Sequence, residues 1–377
     1  MLYVHIPYCH HRCTYCAFYS RASHGVEDAY VDALCSELAM RAGELCKEEG
    51  GGDTLYLGGG TPSLLLPHQL SRLKDTLCQQ MDTTKLQEST LECNPENLTL
   101  DYLSTLQELR LFNRLSIGIQ SFRDDDLRLL NRAHNARQAI SAVLEAQHAG
   151  FRNISIDLIY GLPGQTLQSW KDNLAIAGDM HIQHLSCYAL AVEHNTMLEK
   201  QIAAGRTQPA DEEVVMEQYN YLLEWAAENG FRQYEISNFC KPGHHAIHNS
   251  RYWRRRPYVG VGAAAHSFQG NIRRWNVADI TNYILGVEKT NTGNQTSRYY
   301  FEERLTERDA YNEFIMLGLR TMNGICKSSM PTALMPVLRN AITPFLEKGL
   351  LQETVTHIIP TPQGLLQADG IAAELFL

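Results

Sequence analysis

Short apolar runs recur through the first half of the chain, each followed by a longer stretch with helical spacing. The runs Leu2–Ile6, Thr54–Leu57, Ser89–Cys93, Leu115–Gln120, Asn153–Tyr160 and His184–Leu190 predict strands. Between them Ala29–Ala42, Gln69–Met81, Leu100–Leu109 and Ala136–Ala149 predict helices. The last is well framed: Asn135 caps its start, Gly150 closes it, and Ile140, Val143, Leu144 and Gln147 share one face. Strands that alternate with helices make a parallel sheet. Their number and spacing favour an incomplete α/β barrel over a doubly wound sheet.

Beyond about residue 200 the rhythm changes. Asp211–Asn229 predicts one helix closed by Gly230, His244–Pro257 is a loop rich in His and Arg, and Val259–Ala265 is small and Gly-rich. Asn291–Ser297 has linker composition. After it Tyr311, Phe314, Ile315, Gly318 and Leu319 recur on one helical face, and a second helix is expected at Val337–Lys348. Leu350–Ile359 predicts strands ahead of a Pro360–Gly364 turn. The organisation expected is a barrel over 1–230, a His/Arg- and Gly-rich extension with linker over 231–297, and a small α+β domain over 298–377.

Composition narrows the class. The chain has 377 residues, 44% hydrophobic and 20% charged, enough for a large core and unlike a disordered segment. A net charge of −9 argues against nonspecific affinity for nucleic acid or anionic membrane. Ten cysteines are too thin for a disulfide scaffold, yet Cys9, Cys13 and Cys16 crowd into one short loop. That distribution points to metal chemistry in a reducing compartment. No leader-like segment opens the chain and no run approaches the ~18 apolar residues of a spanning helix, so a cytoplasmic protein without a transmembrane segment is expected. The other cysteines, at 35, 46, 78, 93, 187, 240 and 326, lack ligand spacing and are expected to be buried thiols.

In a parallel α/β barrel the loops at the C-terminal strand ends build the active site. Here the first strand leads into Cys9-His10-His11-Arg12-Cys13-Thr14-Tyr15-Cys16, the second into Gly58-Gly59-Gly60-Thr61-Pro62, and the third ends in Glu92. The fourth turns Ser116, Gly118 and Gln120 inward, and the fifth Ser155 and Asp157. Thiolates bind iron–sulfur clusters, usually four to a [4Fe–4S] cluster, and a three-thiolate loop leaves one iron open. A zinc site completed by His10 or His11, or three unconnected thiols, are the alternatives that spacing alone leaves. The barrel context and the glycine loop favour the cluster.

The C-x3-C-x2-C loop resembles the signature of radical S-adenosylmethionine proteins, whose open iron chelates the amino and carboxylate groups of the cofactor. Tyr3–Cys9, Gly58–Pro62, Leu115–Phe122, Asn131–His134 and Asp157–Gln165 together resemble the HemN/HemW branch of that superfamily, over essentially the whole chain. The resemblance implies a partial (β/α)6 TIM-like barrel with a HemN-type C-terminal domain. It implies cluster ligands at Cys9, Cys13 and Cys16, and cofactor contacts at Tyr3, Tyr15, Gly59, Gly60, Thr61, Glu92, Gln120, Arg132 and Asp157. Glycines let backbone approach the methionine end, acidic groups take an ammonium or ribose hydroxyls, and Arg132 pairs with a carboxylate.

Two subgroups of this branch differ in function. Oxygen-independent coproporphyrinogen III oxidases decarboxylate two propionates by radical chemistry, while HemW-type proteins bind haem and pass it to acceptor proteins. The oxidases carry a further cysteine where this chain has Phe18, and an extension ahead of the strand that here starts at Leu2. His248-Asn249-Ser250-Arg251-Tyr252-Trp253 matches the HNxxYW motif of the HemW subgroup, so haem cargo is expected with His248 as ligand. His244, His245 and His266 are rival ligands, and Arg254–Arg256 can reach propionates. The plainer reading is a solvated His/Arg loop that packs Tyr252 and Trp253 onto the barrel. A nucleic-acid-modifying enzyme is disfavoured by the acidic charge and the isolated arginine triplet.

Overall fold

Leu2, Val4 and Ile6 are fully buried on one side of the first strand, while Tyr3 and His5 take the other side. The same division runs through the sheet of the computed structural model, which describes residues 1–45, 53–293 and 298–377. Strands β1 (Leu2–Ile6), β2 (Thr54–Gly59), β3 (Glu88–Cys93), β4 (Arg114–Gln120), β5 (Ile154–Tyr160) and β6 (His184–Ala189) lie side by side in chain order, every pair parallel. Their outer residues, such as Leu91, Ile117, Ile156 and Leu185, are fully buried beneath α1 (Asp28–Met40), α2 (Pro67–Gln80), α3 (Leu100–Leu109), α4 (Ala136–His148) and α5 (Leu167–Asp179). Each such side chain contributes roughly 1.5–3 kcal/mol by leaving water. The inner residues are polar. Thr90, Arg114, Ser116, Ser155, His184 and Ser186 are all buried there, and Ser155 Oγ lies 2.7 Å from His184 Nδ1. The six strands make a partial parallel barrel, and a smaller α+β unit follows it in the chain.

Helix α4 begins as expected: Asn135 Oδ1 accepts from the Gln138 backbone N–H, and Gln138 Oε1 accepts from the Asn135 backbone N–H. Its buried face differs. Ala139, Ala142, Val143 and Ala146 are buried, whereas Leu144 is 52% exposed. A stripe of alanines lets the helix approach its neighbours closely, and that packing overrides the hydrophobicity of Leu144.

The segment beyond α6 (Glu212–Glu228) adds strands that the apolar pattern did not reveal. β7 (Arg232–Gln233) and β8 (Asn238–Cys240) extend the sheet antiparallel beside β6. After α7 (Ile247–Trp253), β9 (Val259–Val261) joins the other edge, parallel to β1. Gly260 is obligatory there, since a Cβ would stand 1.9 Å from the His266 carbonyl oxygen. β10 (His266–Gln269), β11 (Ile272–Asn276) and β12 (Tyr300–Arg304) form a separate antiparallel sheet, and α8 (Ile280–Asn291) packs on α1. Glu37 of α1 binds this segment to the barrel, accepting from Gly262 N, Asn276 Nδ2 and the Tyr283 hydroxyl. Part of the linker expected at Asn291–Ser297 lies outside the described residues.

The remaining chain has its own core, built from Tyr311, Ile315, Leu319, Ile342, Phe345, Ile371 and Leu375. These come from α9 (Glu307–Leu319), α10 (Met335–Glu347) and α11 (Ala368–Leu375). A small antiparallel sheet of β13 (Ile325–Cys326), β14 (Leu351–Glu353) and β15 (His357–Pro360) completes it. Backbone bonds from Ile236 N to Arg320 O and from Met322 N to Tyr234 O join it to the chain beyond β7. No helix among the described residues is long and apolar enough to cross a membrane.

Candidate functional site

The cysteine loop leaves β1 and is pinned at several points. Ser23 N donates to Cys9 O, Thr14 N to Leu130 O, Leu198 N to Thr14 O, and Asn131 Nδ2 to Arg12 O. Cys9, Cys13 and Cys16 are half-buried, free thiols, and burial pushes the Cys9 and Cys16 thiols up. Arg132 Nη1 donates to Cys13 Sγ at 3.3 Å, while its Nη2 donates to Gly118 O at 2.6 Å and Asn94 Oδ1 at 2.8 Å. Tyr15 packs beside Leu130, Ile159 and Leu162, its hydroxyl raised by burial and by the neighbouring Cys13.

The glycine loop presses against these thiols. A Cβ on Gly60 would stand 2.6 Å from Tyr8 O and 2.9 Å from Cys9 Sγ, and one on Gly59 would stand 2.6 Å from the His5 ring. Gly59 also takes φ +121°, which side chains disfavour. Gly60 leaves no room for a side chain against Cys9 Sγ, and three free thiols on one loop with the Arg132 guanidinium alongside suit an anionic iron–sulfur cluster. Among the described residues no three His, Cys, Asp or Glu side chains, these cysteines included, are gathered around one point, and His10 lies against His24.

The rim residues converge at the same end of the barrel. Glu92 accepts from the Tyr56 hydroxyl at 2.7 Å and from Gly59 N at 3.0 Å. Burial raises its carboxyl to about 7, and Asp157 adds to the rise. Burial also raises Asp157. Both side chains keep part of their surface open, so two carboxyl groups face the barrel mouth, with the Arg114 guanidinium near enough to favour their charged forms. The Arg132 Nε is buried without a partner, another unmet polar group at the rim. Gln120 ends β4 at φ 71°, a costly conformation for a non-glycine residue, where the β4–β5 register shifts. Thr61 is buried beside Asn94, and Tyr3 shares a hydrogen bond with His5 Nδ1 at 2.8 Å. The set fits a ligand with an ammonium, a carboxylate and hydroxyls.

Asn94 was not singled out from sequence, although it bridges Arg132, Thr61 and Glu96. Its signal is its place directly after a barrel strand. His134 likewise links Ile119 O and Glu96 beneath the rim.

His248, expected from sequence as the haem ligand, stands away from the rim. The ring is fully buried under β2, with Nδ1 3.0 Å from Thr54 Oγ1 and Nε2 3.0 Å from the Tyr252 hydroxyl. Burial holds it neutral, pulled down to about 3. With both nitrogens engaged it offers nothing to an iron in this conformation. Glu88 accepts from the backbone amides of Ile247 and His248, and Arg251 pairs with Asp53, so α7 is a brace on the sheet. Of the further thiols, Cys93, Cys187 and Cys240 are buried and Cys35 and Cys326 partly covered. Cys78 is exposed, contrary to expectation, and Cys46 lies outside the described residues.

Beside the cysteine loop a cleft of about 610 Å³ opens between Tyr3 and His5 of β1, Phe18 after Cys16, the chain from Tyr252 to Arg273, and Met316 of α9. Phe18 is 72% exposed on its wall.

Comparison with known proteins matches residues 3–176 to the radical SAM superfamily and 305–366 to the HemN C-terminal domain. The chain is 34% identical to the heme chaperone HemW of Bacillus subtilis, over 98% of this chain and 97% of that one. It is 31% identical to that of Lactococcus lactis (100% and 97%) and 32% to that of Escherichia coli (100% and 97%). Its fold matches the coproporphyrinogen III oxidase HemN of Escherichia coli with TM-score 0.82 at 24% identity, covering 100% of this chain and 89% of that one. The superfamily implies a [4Fe–4S] cluster and S-adenosylmethionine. The chain belongs to the HemW family of radical SAM proteins.

Proposed function

We propose that this protein is a haem chaperone that holds a [4Fe–4S] cluster on Cys9, Cys13 and Cys16, binds S-adenosylmethionine at the rim, and hands haem to acceptor proteins. The observation that carries this reading is the end-to-end match to relatives described as heme chaperones. Phe18 supports it, standing where the oxidases have a cysteine. When bound, the cluster supplies an iron with an open coordination position and one-electron chemistry. Gly59 and Gly60 let the backbone close on the cofactor's methionine end. Glu92 and Asp157 accept from its ammonium and ribose hydroxyls, and Arg132 balances negative charge beside Cys13.

The test is anaerobic reconstitution with iron and sulfide, followed by parallel titrations with haem and coproporphyrinogen III. The expected protein is brown, binds haem, and forms no protoporphyrinogen; alanine at any of the three loop cysteines bleaches it. A colourless protein holding stoichiometric zinc, or steady protoporphyrinogen formation, overturns the reading.

A further inference from the structure

The cleft beside the cysteine loop has features that the cluster and S-adenosylmethionine do not use. Its volume, about 610 Å³, falls within the ~300–1,000 Å³ usual for cofactor-sized ligands. Of the sheet, His266, Phe268 and Arg273 line it; on the same face His266, Trp275 and Phe301 are direct cross-strand partners on β10, β11 and β12. Their rings form a ladder, with centroids 6.3 Å apart for His266 and Trp275 and 5.9 Å for Trp275 and Phe301. His266 is exposed, and neither ring nitrogen has a hydrogen-bond partner, in contrast to His248.

The same face carries a cationic pair. Phe268 sits two residues from His266 on β10, and Arg273 is its cross-strand partner. The Arg255 guanidinium stacks over the Phe268 ring at 5.0 Å. Two residues along a strand span about 7 Å, comparable with the distance from a porphyrin's centre to its edge. Arg255 and Arg273 both close on one carboxylate, that of Glu313 from α9. Two guanidinium groups on one carboxylate are the arrangement by which arginines also recognise a ligand's carboxylate. Two further observations mark the cleft as built for a ligand. Arg255 (φ 50°) and Ala264 (φ 63°), both on its lining, are non-glycine residues in the left-handed region. His5, 7% exposed and also on the lining, has an Nε2 without a partner.

We propose that haem sits in this cleft, its iron on the imidazole of His266 and its propionates on Arg255 and Arg273. The assignment rests on the haem-carrying function proposed above. Phe18 and Met316, both on the lining, supply apolar surface for the macrocycle, and Glu313 holds the arginines until a propionate takes its place.

The experiment titrates the full-length, cluster-reconstituted protein with ferric haem and, separately, with metal-free protoporphyrin IX. The readouts are the Soret band and fluorescence quenching. His266→Ala, at an exposed position that the core does not need, should shift the Soret band. It should also weaken haem binding about tenfold or more, about 1.4 kcal/mol. Metal-free protoporphyrin, which has no iron to ligate, should bind His266→Ala as it binds the wild type. Arg255→Gln combined with Arg273→Gln should weaken both porphyrins, and Glu313→Gln should bind haem at least as tightly as the wild type. A wild type that binds haem while His266→Ala keeps its spectrum and affinity overturns this assignment alone. So does loss of the band in His5→Ala but not in His266→Ala. A wild type that binds no haem removes the proposed function and this site with it.

Discussion

Replacing His248 with alanine separates a brace from a ligand. The substitution removes the contacts to Thr54 Oγ1 and the Tyr252 hydroxyl, both at 3.0 Å, and empties a fully buried site between β2 and α7. Two hydrogen bonds contribute about 1 kcal/mol each, and the unmatched hydroxyls and the void add about as much again. The expected loss is about 2–4 kcal/mol, which for a large domain lowers Tm by roughly 5–10 °C. A pH series gives a second handle. The folded imidazole is held near 3, whereas an unfolded one titrates near 6.5. Between these values the unfolded chain binds the extra proton, so His248's contribution is complete above about 6.5 and is lost as pH falls toward 3. Thermal unfolding followed by circular dichroism from pH 7.5 to 4.5 should show a shallower acid slope in His248→Ala than in the wild type. Its folded fraction should keep the wild-type Soret band. An unchanged Tm with a lost or shifted Soret band would refute the reasoning and return His248 to the haem.

Gly60→Ala places a methyl against Tyr8 O and Cys9 Sγ, so it should lower reconstituted iron and sulfide content and cost about 1–3 kcal/mol of stability; full iron loading would count against the close packing of the two loops. Glu92, with a carboxyl near 7 in the ligand-free protein, must ionise to meet an ammonium. S-adenosylmethionine should therefore bind more tightly at pH 8 than at pH 6, and Glu92→Gln should erase that difference, as read by the reduced cluster's electron paramagnetic resonance.

The six parallel strands were legible because each alternates a polar inner residue with an apolar outer one over five residues or more. β9 was not, because three residues of Val-Gly-Val give no period; only the crowding at Gly260 reveals why they must lie against β10. The rim residues were legible as polar groups at strand ends, and the structure brings Glu92, Gln120, Arg132 and Asp157 to one mouth. His248 shows the limit of a motif. Its HNxxYW context marks a subgroup without saying that the imidazole faces a ligand, and burial beneath Tyr56 and Tyr252 is a tertiary property. His266 and Arg255 were legible only as candidates among several His and Arg of one segment; what the sequence hid is their meeting with Glu313, which comes from helix α9 of the C-terminal unit.

Haem delivery tests the account most directly. Haem-loaded protein with an intact cluster is mixed with a haem-free acceptor, and the acceptor's Soret spectrum is followed. A parallel sample receives coproporphyrinogen III, S-adenosylmethionine and a reductant. The account predicts that haem appears on the acceptor while the porphyrinogen is left unchanged. Conversion to protoporphyrinogen with no haem reaching the acceptor would contradict it.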